Sequence, residues 1–206
     1  ILTWLVALAN RHLDFSSPSV ILGFGALASS VATAICAYLG VRYLRRVDQL
    51  SRSDSLTLLP NRRALHFDIQ QEYRQGHEVA LAMIDLDGFK QINDHYGHFV
   101  GDAAIRECAD IFKQVSDGEA TIYRLGGDEY AMMIGGPVAG TLLEGLCRRI
   151  IDRLTKPIHV EDRRLTLGAS IGLARRTMQD DVPSSELLRR ADIAMYAAKQ
   201  GGKMRC

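Results

Sequence analysis

Charged residues are absent from one long stretch of the chain and regularly spaced through the rest. Across residues 19–41 there are 23 consecutive positions without a formal charge. At about 1.5 Å per residue, a helix of that length crosses a hydrocarbon layer of about 30 Å. The pattern therefore predicts a membrane helix over residues 19–46, spanning through residues 19–41. Arg42, Arg45 and Arg46 follow at once. Basic residues flank the cytoplasmic end of membrane helices, so everything after this helix is predicted to lie in the cytoplasm. Residues 1–9 are apolar but too short to span. They read as the tail of an earlier membrane helix, with residues 10–18 as a short external loop. A cleaved signal peptide is the weaker alternative, because no basic start precedes that run. Gly25, Ser29, Thr33 and Ala37 recur every four residues, a stripe on which two helices could pack. Residues 47–55 are polar and predicted to be a linker.

Beyond the linker the pattern switches between helical and strand periods. Leu65, Ile69 and Tyr73 are spaced by four, predicting a helix over 61–74. Residues 79–84 form a short apolar run, expected to be a buried strand, and Gly88 interrupts the pattern. Helical spacing resumes over 89–96 and 103–115. Two β-rich runs, 121–125 and 130–134, flank Gly126 and Gly127 and predict a hairpin. Leu143, Leu146 and Ile150 share one face of a helix over 142–154. Residues 165–174 read as a strand paired with 158–160. A last helix runs to Lys199, capped by Ser184 or Ser185 and closed by Gly201 and Gly202. Interspersed helices and strands with an antiparallel hairpin make the soluble part an α+β or mixed sandwich.

Composition narrows the field. With 25 basic against 24 acidic residues the net charge is +1, which excludes a basic nucleic-acid-coating protein and an acidic tail protein. No nucleic-acid partner is expected. The cysteines Cys36, Cys108, Cys147 and Cys206 form no CxxC pair, so neither a zinc ribbon nor a disulfide scaffold is indicated.

Two segments carry candidate chemistry. In Arg124-Leu125-Gly126-Gly127-Asp128-Glu129-Tyr130, the glycines allow a sharp turn and the close approach of a bulky ligand, and two carboxylates stand at the turn. Asp85-Leu86-Asp87-Gly88-Phe89-Lys90 ends a strand with further carboxylates. Asp and Gly also simply make turns. Two such segments, each next to an apolar strand, favour a site for a hard cation such as Mg²⁺ that would hold phosphates. Lys199 and Lys203, four apart, are expected on one helical face, either to hold phosphates or to complement the helix C-terminus. Asn93 and Asp102 could read a purine edge or cap a helix. No P-loop and no Gly-x-Ser-x-Gly elbow is present.

In order along the chain, these residues resemble the GGDEF family of diguanylate cyclases. The matching pieces are Asp54-Ser55-Leu56-Thr57 with Pro60-Asn61-Arg62-Arg63, the Asp85 to Lys90 segment with Ile92-Asn93-Asp94 and Tyr96-Gly97-His98, Gly101-Asp102, the Gly126 to Tyr130 loop, Ser170-Ile171-Gly172, and Ala191-Asp192 through Met195-Tyr196-Ala197-Ala198-Lys199. Residues 52–206 cover essentially the whole domain. The resemblance implies a fold similar to the palm of polymerases and nucleotidyl cyclases: a central antiparallel sheet flanked by helices. It implies condensation of two GTP to cyclic di-GMP and two pyrophosphates at a homodimer interface, in a protein of the inner (cytoplasmic) membrane. By motif position, Asp85 and Asp128 would ligate Mg²⁺ (or Mn²⁺), with the Leu86 carbonyl joining them. Glu129 would be a further ligand or help to deprotonate the 3′-hydroxyl. Asn93 and Asp102 would recognise guanine. Lys90, Lys199 and Lys203 would hold phosphates beside the Phe89 backbone.

Three departures from the family pattern stand out. Tyr130 replaces Phe, and its hydroxyl needs only a partner or solvent. Leu58 stands where Gly is common. Asp117 and Ala120 occupy the positions of the family's Arg-x-x-Asp product brake, so bidentate recognition of product is lost. Titrating product into the reaction is therefore expected to leave the initial rate nearly flat; steep micromolar inhibition would contradict this. The alternative function is a catalytically silent GTP-binding module that regulates a neighbouring domain.

Overall fold

A computed structural model describes residues 18–50 and 52–206; the expectations for residues 1–17 lie outside the described residues. The chain divides into two compact units, Ile1–Ser51 and Arg52–Cys206.

In the first unit, helix α1 (Pro18–Leu50) is continuous for 33 residues. Its stretch Gly25–Tyr43 is long and apolar enough to cross a membrane by length and composition. Side chains such as Leu27, Ile35 and Leu39 are exposed along it. Where the sequence predicts a linker, residues 47–50 continue the helix. On the small-residue stripe, the Thr33 hydroxyl donates to the Ser29 carbonyl at 2.8 Å, so this polar group is satisfied within the helix.

The second unit comprises α2 (Arg62–Arg74), β1 (Val79–Asp87), α3 (Phe89–Tyr96), α4 (His98–Ser116), β2 (Thr121–Gly126), β3 (Glu129–Gly135), α5 (Ala139–Leu154), β4 (Ile158–Val160), β5 (Arg163–Leu165), β6 (Gly168–Arg176) and α6 (Ser184–Gln200). Four strands form one antiparallel sheet in the order β2-β3-β1-β6. Strand β1 lies inside it and is buried on both faces. Ala80, Ala82, Ile84 and Leu86 join the core with α4 and α5. Val79, Leu81 and Met83 join a second core with Leu65 and Ile69 of α2 and Leu187, Ala191 and Met195 of α6. Double burial explains why β1 reads as an unbroken apolar run.

The predicted strand over 165–174 splits. β5 pairs with β4 in a separate two-stranded ribbon, while β6 pairs with β1. Helix caps also differ from expectation in one place. Asn61 caps α2, its side chain accepting from the Arg63 and Ala64 N–H groups. Helix α6 begins after Pro183, with no side-chain cap, so neither Ser184 nor Ser185 serves as one.

Candidate active site

Strand pairing gathers the acidic residues at one end of the sheet. Asp85 lies opposite Glu129 in the β1–β3 register and opposite Ser170 in the β1–β6 register. Gly126 and Gly127 have φ of 137° and 55°, angles that L side chains rarely adopt, and they make the turn between β2 and β3. The ladder shifts register between Arg124 and Gly126, and this bulge brings Asp128 round to β1. The Asp128 carbonyl accepts from the Leu86 N–H at 3.2 Å. Two chain segments predicted separately to carry carboxylates are thus hydrogen-bonded to each other.

Arg124 holds the turn from behind. Its guanidinium donates to the Gly127 carbonyl at 2.9 Å and to the Asp54 carboxylate at 2.8 Å. Burial alone would raise the pKa of Asp54, but hydrogen bonds from Arg124 and from Thr57 outweigh it and hold the carboxyl below its usual value. A depressed carboxylate stabilises the fold above its unfolded pKa near 3.8. That contribution is lost as the pH falls through the folded value. This clamp ties the loop to the segment just before α2.

Asp85 is only 8% exposed. The Lys199 ammonium, from the last turn of α6, sits 2.7 Å from its Oδ2. Burial raises the Asp85 pKa, Lys199 opposes this, and the neighbouring Asp128 adds to the rise; the net direction is upward. For Lys199, burial works to lower the pKa, and Asp85, Asp128 and Asp87 together raise it. Both directions describe one thing: a pocket with excess negative charge that favours cations. Glu129 instead reaches the Arg62 guanidinium at 3.1 Å. Among the described residues, no three His, Cys, Asp or Glu side chains converge as a metal cluster. Lys199 holds Asp85 and Arg62 holds Glu129, so the three carboxylates are not drawn onto a single point.

The remaining predicted residues surround this end. Phe89 packs partly against the core, and Lys90 is exposed in the first turn of α3. Gly88 gives that helix no side-chain cap. Asn93 leans over Gly101: a Cβ at Gly101 would lie 1.9 Å from the Asn93 Oδ1. Asp102, the next residue, is exposed on α4. Lys203 does not share a helical face with Lys199. Helix α6 stops at Gln200, and Lys203 follows in a left-handed conformation with φ of 64°. Arg62, the partner of Glu129, was not singled out from the sequence; no local pattern marks a contact 67 positions apart.

The profile described as "Diguanylate cyclase, GGDEF domain" matches residues 51–205. The chain belongs to the GGDEF family. A bifunctional diguanylate cyclase/cyclic di-GMP phosphodiesterase, MucR of Pseudomonas aeruginosa, is 37% identical over 178 residues, covering 83% of this chain and 25% of MucR. The diguanylate cyclase VdcA of Vibrio cholerae is 36% identical over 170 residues, covering 79% of this chain and 48% of VdcA. The chain thus spans between a quarter and a half of these relatives. The solved GGDEF domain of TpbB (YfiN) from Pseudomonas aeruginosa superposes with a TM-score of 0.69 at 32% identity, covering 74% of this chain and 91% of that one. The fold is the palm-like α+β fold of that family.

Each departure of this GGDEF domain from the family pattern has a structural counterpart. The Tyr130 hydroxyl, fully buried, donates to the Ile105 carbonyl at 2.8 Å, so the added polar group is satisfied. Leu58 adopts φ of 57° and is 77% exposed. It carries the strain that a glycine there would not, about 1 kcal/mol. Asp117 caps α4 in a left-handed conformation, and Ala120 packs against the core.

Proposed function

We propose that the protein is a diguanylate cyclase that condenses two GTP to cyclic di-GMP and two pyrophosphates across a homodimer. The observation that carries this is the acidic end of the sheet, where Asp85, Asp128 and Glu129 meet around the intact Gly126–Gly127 turn with Lys199 set among them. Oxygen donors in a pocket of excess negative charge suit a hard divalent cation. Asp85, Asp128, the Leu86 carbonyl and Glu129 would hold Mg²⁺, or Mn²⁺ in its place, which when bound neutralises phosphate oxygens.

The chain's own residues then divide the work. Asn93 and Asp102 bind the guanine edge. Lys90, Lys199, Lys203 and the uncapped N–H groups at the start of α3 hold the phosphates. The 3′-hydroxyl of one GTP attacks the α-phosphorus of the other, pyrophosphate leaves, and Glu129 assists removal of the hydroxyl proton. The same step repeated in the opposite sense closes the ring. Each domain supplies half of the site, so two must face each other. Helix α1 would anchor the protein in the inner membrane, with Arg42, Arg45 and Arg46 keeping the domain in the cytoplasm.

The test is to incubate the chain in detergent micelles with GTP and Mg²⁺ and separate cyclic di-GMP by chromatography. Product formation supports the cyclase. A forcibly dimerised chain that binds GTP and makes no product would replace it with the silent module.

The guanine assignment makes its own prediction. Gly101→Ala places a methyl where the Asn93 amide now sits. A side-chain end can move aside, so the melting temperature should barely change. Displacing Asn93 removes its bonds to the base, and the KM for GTP should rise about tenfold, as the loss of about 1.4 kcal/mol of hydrogen bonding requires. An unchanged KM would remove Asn93 from the binding site.

A further inference from the structure

The segment after α6 is folded back onto the end of the sheet. Lys203 and Met204 both adopt left-handed conformations, with φ of 64° and 45°, and neither is glycine. Such a reversal persists only where surrounding contacts hold it. Three contacts do so. The Lys203 N–H donates to the Ala198 carbonyl at 3.2 Å, and the Ile171 N–H donates to the Arg205 carbonyl at 2.9 Å. Asp87 makes the third: its Oδ2 accepts from the Met204 N–H at 3.1 Å. The Ser170 hydroxyl lies 3.0 and 2.9 Å from the two Asp87 oxygens and fixes the carboxylate. Gly168 opens the space beside it, since a Cβ there would lie 2.5 Å from the Met204 Cγ.

We propose that Asp87 is a positioning residue: its carboxylate, steadied by Ser170, clasps the segment after α6 and so sets Lys203 in place for the phosphates. Asp87 is not a metal ligand in this scheme; its oxygens already serve the Ser170 hydroxyl and the Met204 N–H. The motif carboxylates Asp85 and Asp87, two apart on one strand face, therefore have different duties. Asp85 faces the cation, and Asp87 holds the chain that carries a phosphate-binding lysine. This inference rests on the proposed role of Lys203.

The test compares Lys203→Ala, Asp87→Ala, their combination and Asp87→Asn in the full chain. It reads KM and kcat for GTP, together with amide exchange of the 202–206 segment by mass spectrometry. Lys203→Ala should raise KM about five- to tenfold with kcat within about twofold. Asp87→Ala should do the same and speed exchange at Met204 and Arg205. The double variant should be no worse than the poorer single, because both remove one interaction. Asp87→Asn keeps an acceptor oxygen for the Met204 N–H and should restore KM to within about twofold. Asp87→Ala with unchanged exchange, or losses that multiply in the double variant, would overturn the proposal while leaving Lys203 on the phosphates. An inert Lys203→Ala would overturn the role of Lys203, and the positioning role with it. A wild-type chain that makes no product refutes the cyclase. The same comparison made by binding of a non-hydrolysable GTP analogue then decides the clasp. If Asp87→Ala does not fold, Ser170→Ala frees the same carboxylate at a buried position and must show the same pairing of faster exchange with weaker GTP binding.

Discussion

Asp128→Ala should lower cyclic di-GMP formation by at least about a hundredfold while leaving the fold intact, because a positioned charge that acts on the reacting phosphate typically contributes that much. The structural argument separates the two effects cleanly. What ties Asp128 to the sheet is its backbone carbonyl, which accepts from the Leu86 N–H. Alanine keeps that carbonyl. The turn itself is shaped by Gly126 and Gly127 and clamped by Arg124 from the other side, and the substitution touches none of these. The melting temperature should therefore move by no more than about 2 °C, the shift expected from a surface change of about 0.5 kcal/mol. The carboxylate, by contrast, is a large part of the negative charge felt by Asp85 and Lys199. Without it the pocket loses its preference for a divalent cation. The assay is product formation over time beside a thermal melt of the same preparation. Full activity in the variant would remove Asp128 from the mechanism. Lost activity with a collapsed melt would mean that the loop is structural instead.

The elements legible in the sequence are those whose cause is local. The apolar run of β1 is continuous because both its faces are covered, and the hairpin announces itself through Gly126 and Gly127. Asn61 and the period-four apolar positions after it mark α2. The acidic segments were visible for the same reason, as strand ends beside glycines. What the pattern missed depends on pairing between distant positions. The break between β5 and β6 is decided by partners, since the β5 residues pair with β4 and the β6 residues with β1. Arg62 reaches Glu129 and Arg124 reaches Asp54 across 67 and 70 positions, and no periodicity encodes such contacts. Lys203 was misplaced because four-residue spacing was extended through Gly201 and Gly202, where the helix has already ended.

Gly172→Ala should be the most damaging small substitution in the second unit, and its sign is informative. Gly172 lies in β6 against α6, and a Cβ there would stand 2.0 Å from the Met195 backbone nitrogen, 2.1 Å from the Ala191 carbonyl oxygen and 2.6 Å from the Met195 Cα. These are main-chain atoms of a helix and cannot rotate away. The helix must back off by roughly 1 Å or more, and overpacking of this kind costs about 3 kcal/mol. For a domain of this size that lowers the melting temperature by about 6–12 °C. Backbone propensity alone predicts the reverse, because glycine weakens a strand interior and alanine reduces the freedom of the unfolded chain. Gly145, exposed in α5 with nothing within 4 Å of its would-be Cβ, provides the comparison. Gly145→Ala should stabilise by about 0.5–1 kcal/mol. The same added methyl thus moves stability in opposite directions at two positions. Activity adds a second readout, because α6 also carries Lys199 to Asp85. Backing the helix away should draw that ammonium from the acidic pocket, so any Gly172→Ala protein still folded at the assay temperature should bind GTP more weakly. Gly172→Ala with wild-type stability would show that α6 packs further from the sheet than the structure places it, and the placement of Lys199 would fall with it.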